Sequence, residues 1–221
     1  MLAAYKGYEL QLLQGAWVTL QLALASLAFG LLIGLVLCAG KRSRHSALRA
    51  ICYGIANVFR GLPELLVIFL SYFGVQMALN HFFGEGISLN PFIAGTLALS
   101  LIFGAYASEV FRAAFIALPK GQIEAALAFG LSRFRILLRI ELPQVIQIAL
   151  PSLGSLWLIM LKDTSMVAVI GLQELMRKAQ IGTATVKDPF LFYGTAALLY
   201  VLISLASTML LRLLEQRREA R

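Results

Sequence analysis

Charge is scarce in this sequence. Of its 221 residues only 14% are Asp, Glu, Lys or Arg, while 60% are hydrophobic. Soluble domains run near roughly 25% charged and about 45–50% apolar. The shortage is concentrated: Leu10 to Gly40, Leu65 to Gly84, Gly86 to Ser108, Leu142 to Leu161 and Pro189 to Leu211 carry no charged side chain at all. Each run is about 20 residues or longer, the length at which a helix crosses roughly 30 Å of hydrocarbon. A chain this short cannot bury five all-apolar helices without lipid, which excludes a soluble globular core. The expected fold is all-α: a polytopic membrane protein of about five transmembrane helices, with residues 1–221 forming a single domain.

Other absences narrow the chemistry. The two cysteines, Cys38 and Cys52, give neither a metal spacing nor a disulfide framework. The two histidines, His45 and His81, lie far apart without neighbouring ligands and read as loop residues. No G-x-x-x-x-G-K-[ST] loop occurs, so the chain lacks that device for holding ATP phosphates. Nor is there an H-E-x-x-H, a Ser/His dyad or a pair of intramembrane aspartates, which argues against a membrane-embedded protease. No catalytic residue and no metal site are expected. A signal peptide is not expected either, because the first apolar run starts after Gln14, has no basic region before it and is too long. Leu2 to Gln14 is mildly amphipathic and reads as a segment lying along the membrane surface.

What charge there is has a pattern. With the amino terminus outside, the inner segments hold Lys41, Arg42, Arg44, Arg49, Arg112, Lys120, Arg133, Arg135, Arg139, Arg212, Arg217, Arg218 and Arg221, 13 of the 19 basic residues. The outer segments hold only Lys6, Arg177, Lys178 and Lys187. Basic residues resist translocation, so this asymmetry places the amino terminus outside and the carboxyl terminus inside. The net charge of +8 thus reflects topology and contact with membrane lipid rather than nucleic-acid binding.

The spans are expected at 15–38, 62–80, 91–117, 146–171 and 190–212. In the first, Gly30 and Gly34 form a G-x-x-x-G pair that permits close helix approach. The second is preceded by Phe59-Arg60-Gly61-Leu62-Pro63-Glu64, whose glycine and proline predict a broken helix. Between spans three and four lies an inner loop, residues 118–145, too polar to cross. Gln122 to Phe129 reads as a short helix ended by Gly130. Ser132 reads as the N-cap of a second, Arg133 to Ile140, and Leu142-Pro143 opens the next element.

That loop spells Glu124-Ala125-Ala126, three residues, Gly130, nine residues, then Ile140-Glu141-Leu142-Pro143. It resembles the EAA signature of ABC importer permeases at every signature position. Gly15-Ala-Trp-Val-Thr-Leu20, Tyr106-Ala-Ser-Glu-Val-Phe-Arg112, Ala117-Leu-Pro-Lys-Gly121, Leu161-Lys-Asp-Thr-Ser165 and Pro189-Phe-Leu-Phe-Tyr193 look like the polar amino acid uptake family. Arg60-Gly-Leu-Pro-Glu64 and Leu101-Ile-Phe-Gly-Ala-Tyr-Ala-Ser-Glu109 are most similar to its histidine, arginine and opine branch. The resemblance covers essentially the whole chain. It implies a permease subunit in the bacterial inner membrane, paired with a second permease as a heterodimer. Two cytoplasmic ATPase subunits, which hold the ATP and Mg, and a periplasmic substrate-binding protein would complete the complex. Glu124, Ala125, Ala126, Gly130, Ile140, Leu142 and Pro143 would form the loop that couples to the ATPase, and this chain would bind no cofactor.

Ionisable residues at membrane depth are costly and point to function. Arg60 and Glu64, four apart at the inner edge of span two, could simply pair, as could Glu109 and Arg112. Lys162 and Asp163 cannot hide on one helix face, and counting from Pro151 puts Asp163 about 18 Å into the crossing, near the midplane. Glu109, Lys162, Asp163, Thr164, Ser165 and Arg60 are therefore the candidates for a substrate path, with Lys162 an alternative partner for Glu109. The function expected is ATP-driven uptake of a polar, cationic amino acid or opine. A stand-alone channel or secondary transporter is the alternative, and it would differ by transporting without ATPase subunits.

Overall fold

The computed structural model describes residues 7–84, 86 and 88–219, with side chains described as far as 213. Lys6, Arg221 and the amphipathic residues Leu2 to Tyr5 lie outside the described residues, as do the side chains of Arg217 and Arg218. Among the described residues every regular element is helical, and five helical segments are long and apolar enough to cross a membrane.

The first, α1 (Glu9–Lys41), is one unbroken helix of 33 residues. It runs against α5 (Pro91–Ile116), and the G-x-x-x-G pair lies in that seam. A Cβ on Gly30 would stand 2.7 Å from the Phe103 ring, and one on Gly34 2.9 Å from the Ala107 Cβ. Glu9 to Gln14 form the opening turns of α1 rather than a surface segment. An apolar stripe there, with Leu12 and Ala16 buried against Leu175 and Phe192, keeps them in the helix.

Between these two helices the chain departs from expectation. The stretch read as a loop after Lys41 contains α2 (Ser46–Gly61), which climbs back alongside α1. Cys52 lies against Gly40, Ala56 packs with Leu37 and Ala105, and the Arg60 carbonyl accepts from the Tyr106 hydroxyl. The helix then breaks at Leu62 and Pro63, both extended, as the glycine and proline foretold. It resumes as α3 (Glu64–Phe69), a π-helical turn (Leu70–Gly74) and α4 (Val75–Phe83). Tyr106 is about 15 Å along α5 from its end at Ile116. The break therefore sits near mid-depth, not at a membrane edge. Arg60 and Glu64 flank it on separate helices and form no pair with each other.

Beyond α5 come α6 (Lys120–Ala128) and α7 (Arg133–Ile136). A π-helical turn (Leu137–Glu141) then runs without interruption into α8 (Leu142–Asp163). Leu142-Pro143 thus continues a helix instead of opening one, with the proline just past the π turn. Pro151 lies inside α8. The expected continuous span four changes pitch at Asp163, where a 3-10 helix (Thr164–Ile170) takes over and ends at Gly171. A short helix α9 (Leu175–Val186) and the long α10 (Pro189–Glu219) complete the chain.

Candidate functional site

Two carboxylates meet where the broken second span faces α5 and α8. Glu64, at the start of α3, and Asp163, at the end of α8, line one cavity of ≈ 170 Å³ with Leu99, Ile102, Phe103, Tyr106, Leu156, Ile159 and Met160. The remaining wall is apolar apart from the Tyr106 phenol. Among the described residues neither carboxylate accepts a hydrogen bond or meets a cation within ion-pair distance. The α5 residues of this wall fall in the middle third of that helix, which keeps Asp163 near mid-depth. In the sequence Glu64 reads as an ionisable residue at membrane depth that could pair with Arg60. Its place in this cavity depends on the break that lifts it away from the membrane edge.

The remaining substrate-path candidates divide between two other places. Lys162 and Ser165 open onto the opposite side of α8, in a pocket of ≈ 360 Å³ with Met176, Tyr193, Ala196, Ala197 and Tyr200. Ser165 Oγ donates back to the Lys162 carbonyl at 2.7 Å. Thr164 is fully buried, and its hydroxyl donates to the Leu161 carbonyl at 2.6 Å. Both hydroxyls thus satisfy the backbone where α8 tightens.

Glu109 and Arg60 belong to an ion cluster at the basic end of the bundle. Glu109 meets Lys41 at 2.8 Å, Arg112 at 2.7 Å and Arg60 at 3.8 Å. Lys41, read from the sequence as a loop charge, is the last residue of α1. Its ammonium is fully buried and also donates to Ser108 Oγ at 2.7 Å. Glu109 therefore pairs with Lys41, not with Lys162, and the expected Glu109–Arg112 pair is present. Ser108-Glu109, two polar residues in an apolar helix, was the available signal that a cation from another helix must approach there.

At the opposite end a second buried carboxylate had no signal in the sequence. Glu174 caps α9, accepting from the amides of Met176 and Arg177 at 2.9 and 2.7 Å. The Tyr200 and Thr19 hydroxyls reach the same carboxylate at 3.0 and 3.4 Å, so α1, α9 and α10 are tied through one side chain. Burial pushes this carboxyl above the usual glutamate range, and the four donors pull it back.

The signature loop folds as a hairpin at the basic end. Gly130 takes φ +76, and the Leu131 and Gly130 amides donate to the Ala126 and Leu127 carbonyls at 3.1 and 2.9 Å. This is the 6→1 and 5→2 pattern that ends a helix on a left-handed residue, a place where glycine avoids the Cβ clash. Glu124 and Ala125 point outward, whereas Ala126 is buried against its own chain, so its small side chain serves internal packing. Ser132 holds the N-cap position of α7 without a side-chain hydrogen bond. Ile140 and Leu142 are half-buried and Pro143 is exposed. Phe129, at the hairpin tip, is 87% exposed outside any span.

The whole chain has close relatives. It is 39% identical to the octopine transport system permease protein of Rhizobium radiobacter, over 96% of this chain and 91% of that one. The figures are 38%, 96% and 94% for the histidine/lysine/arginine/ornithine transport system permease protein of Escherichia coli. For the nopaline transport system permease protein of Agrobacterium fabrum they are 43%, 91% and 88%. The crystal structure of an amino acid ABC transporter with histidines superposes with a TM-score of 0.84 at 31% identity, covering 95% of each chain. The pattern of the family described as binding-protein-dependent transport system inner membrane component matches residues 26–220. With these relatives and this helical arrangement, the chain belongs to that family, the permeases of ABC importers.

Proposed function

We propose that this permease carries a cationic amino acid or opine, and that Glu64 and Asp163 compensate its positive charge at mid-depth. One observation carries the reading: two carboxylates line a single cavity, and among the described residues no cation comes within ion-pair distance of either. Leaving an ionised carboxylate unpaired in an apolar wall is costly, and two side by side repel each other. A positively charged solute removes both penalties at once. Relatives named for histidine, lysine, arginine, ornithine, octopine and nopaline transport support this class. Arg60, 5.5 Å from the Tyr106 ring centroid, would attract an α-carboxylate.

In this reading the basic end is cytoplasmic, with the amino terminus outside the bacterial inner membrane. The hairpin at 118–145 docks one of two ATPase subunits, which hold ATP and Mg. Glu124, Ala125, Phe129 and the turn at Gly130 form the contact surface. A periplasmic binding protein delivers the solute, and a second permease, a homologue of this chain, completes the pathway.

Uptake of radiolabelled arginine, histidine and octopine by the reconstituted importer tests the charge assignment. Asp163→Asn and Glu64→Gln each lose a charge-assisted contact, which should weaken uptake about ten- to a hundredfold. Assembly and basal ATP hydrolysis should stay intact. Normal uptake by both variants would remove the carboxylates from the path. Transport by this chain without ATPase subunits would favour a channel or secondary transporter instead.

A further inference from the structure

The cavity has two principal walls, and they connect to the hairpin differently. The α8 wall is continuous with it, because α7, the π turn and α8 form one rod from Arg133 to Asp163. The α5 wall is separated from it by a turn at Ala117 to Pro119. A displacement of the hairpin would therefore move Asp163 directly, and would reach Leu99 to Tyr106 only through what joins the two walls: the apolar packing that Val145 and Ala149 share with Phe111 and Ala114, and any polar contact beside it.

Such a contact exists at the basic end. Arg42, the cap of α1, donates from its guanidinium to Glu141 at 3.2 Å. The same guanidinium lies 3.6 Å from the centroid of the Phe115 ring on α5. Among the described side-chain hydrogen bonds and ion pairs, this is the only one joining residues 118–145 to the rest of the bundle. Glu141 occupies the variable place of the signature, between Ile140 and Leu142, and ends the π turn where the hairpin becomes α8. A partly exposed ion pair alone contributes little. Here the aromatic face fixes the guanidinium plane, so that one side chain grips three helices at once.

We propose that Arg42, Phe115 and Glu141 form a joint that moves the α1–α5 pair together with the hairpin, making Arg42 a positioning residue of the transport cycle. The proposal rests on the docking role given above to the hairpin. It assigns the joint to the relative motion of the two cavity walls, not to solute binding.

The test uses the reconstituted importer with its ATPase subunits and binding protein. Uptake and ATP hydrolysis are measured together for Arg42→Ala, Glu141→Ala and the double variant, alongside thermal midpoint and ATPase retention. Each single change should lower solute moved per ATP by about threefold or more with midpoint and retention unchanged. The double variant should be no worse than either single, because both remove the same link. Arg42→Lys, which keeps the charge but loses the flat stacking surface, should fall between. Silent single variants, or losses that multiply in the double, would overturn the joint. Gly130→Asp serves as the control for the docking role. If it retains the ATPase and transports normally, the hairpin is not the docking element and the joint falls with it. If it fails while Arg42→Ala is silent, docking stands and only the joint is lost.

Discussion

At the scale of single residues, a few side chains hold the bundle's ends. Glu109 faces Lys41, Arg60 and Arg112, one carboxylate among three cations. Glu109→Gln leaves a buried ammonium without a counter-charge and should cost about 3 kcal/mol, read as a lowered unfolding midpoint in detergent. Lys41→Met should be milder, because Glu109 keeps two guanidinium groups. If Lys41→Met proves the harsher change, the lysine rather than the carboxylate anchors the cluster. Gly130 is different in kind: nothing lies within 4 Å of the place its Cβ would take, so only its φ of +76 resists substitution. Gly130→Asp should strain the turn by roughly 1 kcal/mol or more. Gly130→Asp and Glu124→Lys should each lose the ATPase or uncouple hydrolysis from uptake, while the chain still reaches the membrane. Co-purification with the ATPase decides this. Gly130 was legible because spacing alone announces a helix end. Lys41 was not, because a lysine closing an apolar run reads the same whether it faces water or folds back onto a glutamate 68 residues away.

At the scale of elements, charge-free length was the dependable signal. The span expected at 91–117 is observed as Pro91–Ile116, bounded by Asn90, whose side chain accepts from the Phe92 amide at 2.8 Å. The seam it makes with α1 was legible in Gly30 and Gly34. Gly34→Leu should overpack that seam, where a Cβ already lies 2.9 Å from Ala107, and should destabilise by about 1–3 kcal/mol. Gly121→Leu, on the exposed face of α6 with nothing within 4 Å, should leave the midpoint unchanged. Equal effects would mean the seam tolerates separation. Helix α2 escaped notice because Arg49 and Arg60 at its two ends make it resemble a solvated loop. Its buried residues, Cys52 and Ala56, are too few to mark a span. The changes of pitch at Leu70–Gly74, Leu137–Glu141 and Thr164–Ile170 had no sequence signal, since one extra or missing residue per turn leaves composition untouched.

For the whole molecule, the basic asymmetry predicts a direction. Reporter fusions after Arg49, Arg139 and Arg218 should be active on the cytoplasmic side, and fusions at Gly84 and Ala184 on the other. A cytoplasmic Gly84 would invert the topology. Burial is as uneven as charge: in the most apolar windows 67% of α5 is buried but only 6% of α10. The central helix is covered by its own chain, while the last presents Leu198, Val201, Leu202 and Leu205 outward. That face is where lipid or a second permease would lie. The 3-10 segment between Asp163 and Gly171 adds a length scale to this arrangement. Seven residues wound as 3-10 helix are about 3.5 Å longer than the same seven wound as α-helix. Rewinding them would bring Gly171 and the Asp163 carboxylate closer by that distance, like a thread shortened by a part-twist. The winding of the seven residues that follow Asp163 thus fixes how far the turn at Gly171 lies beyond the charge.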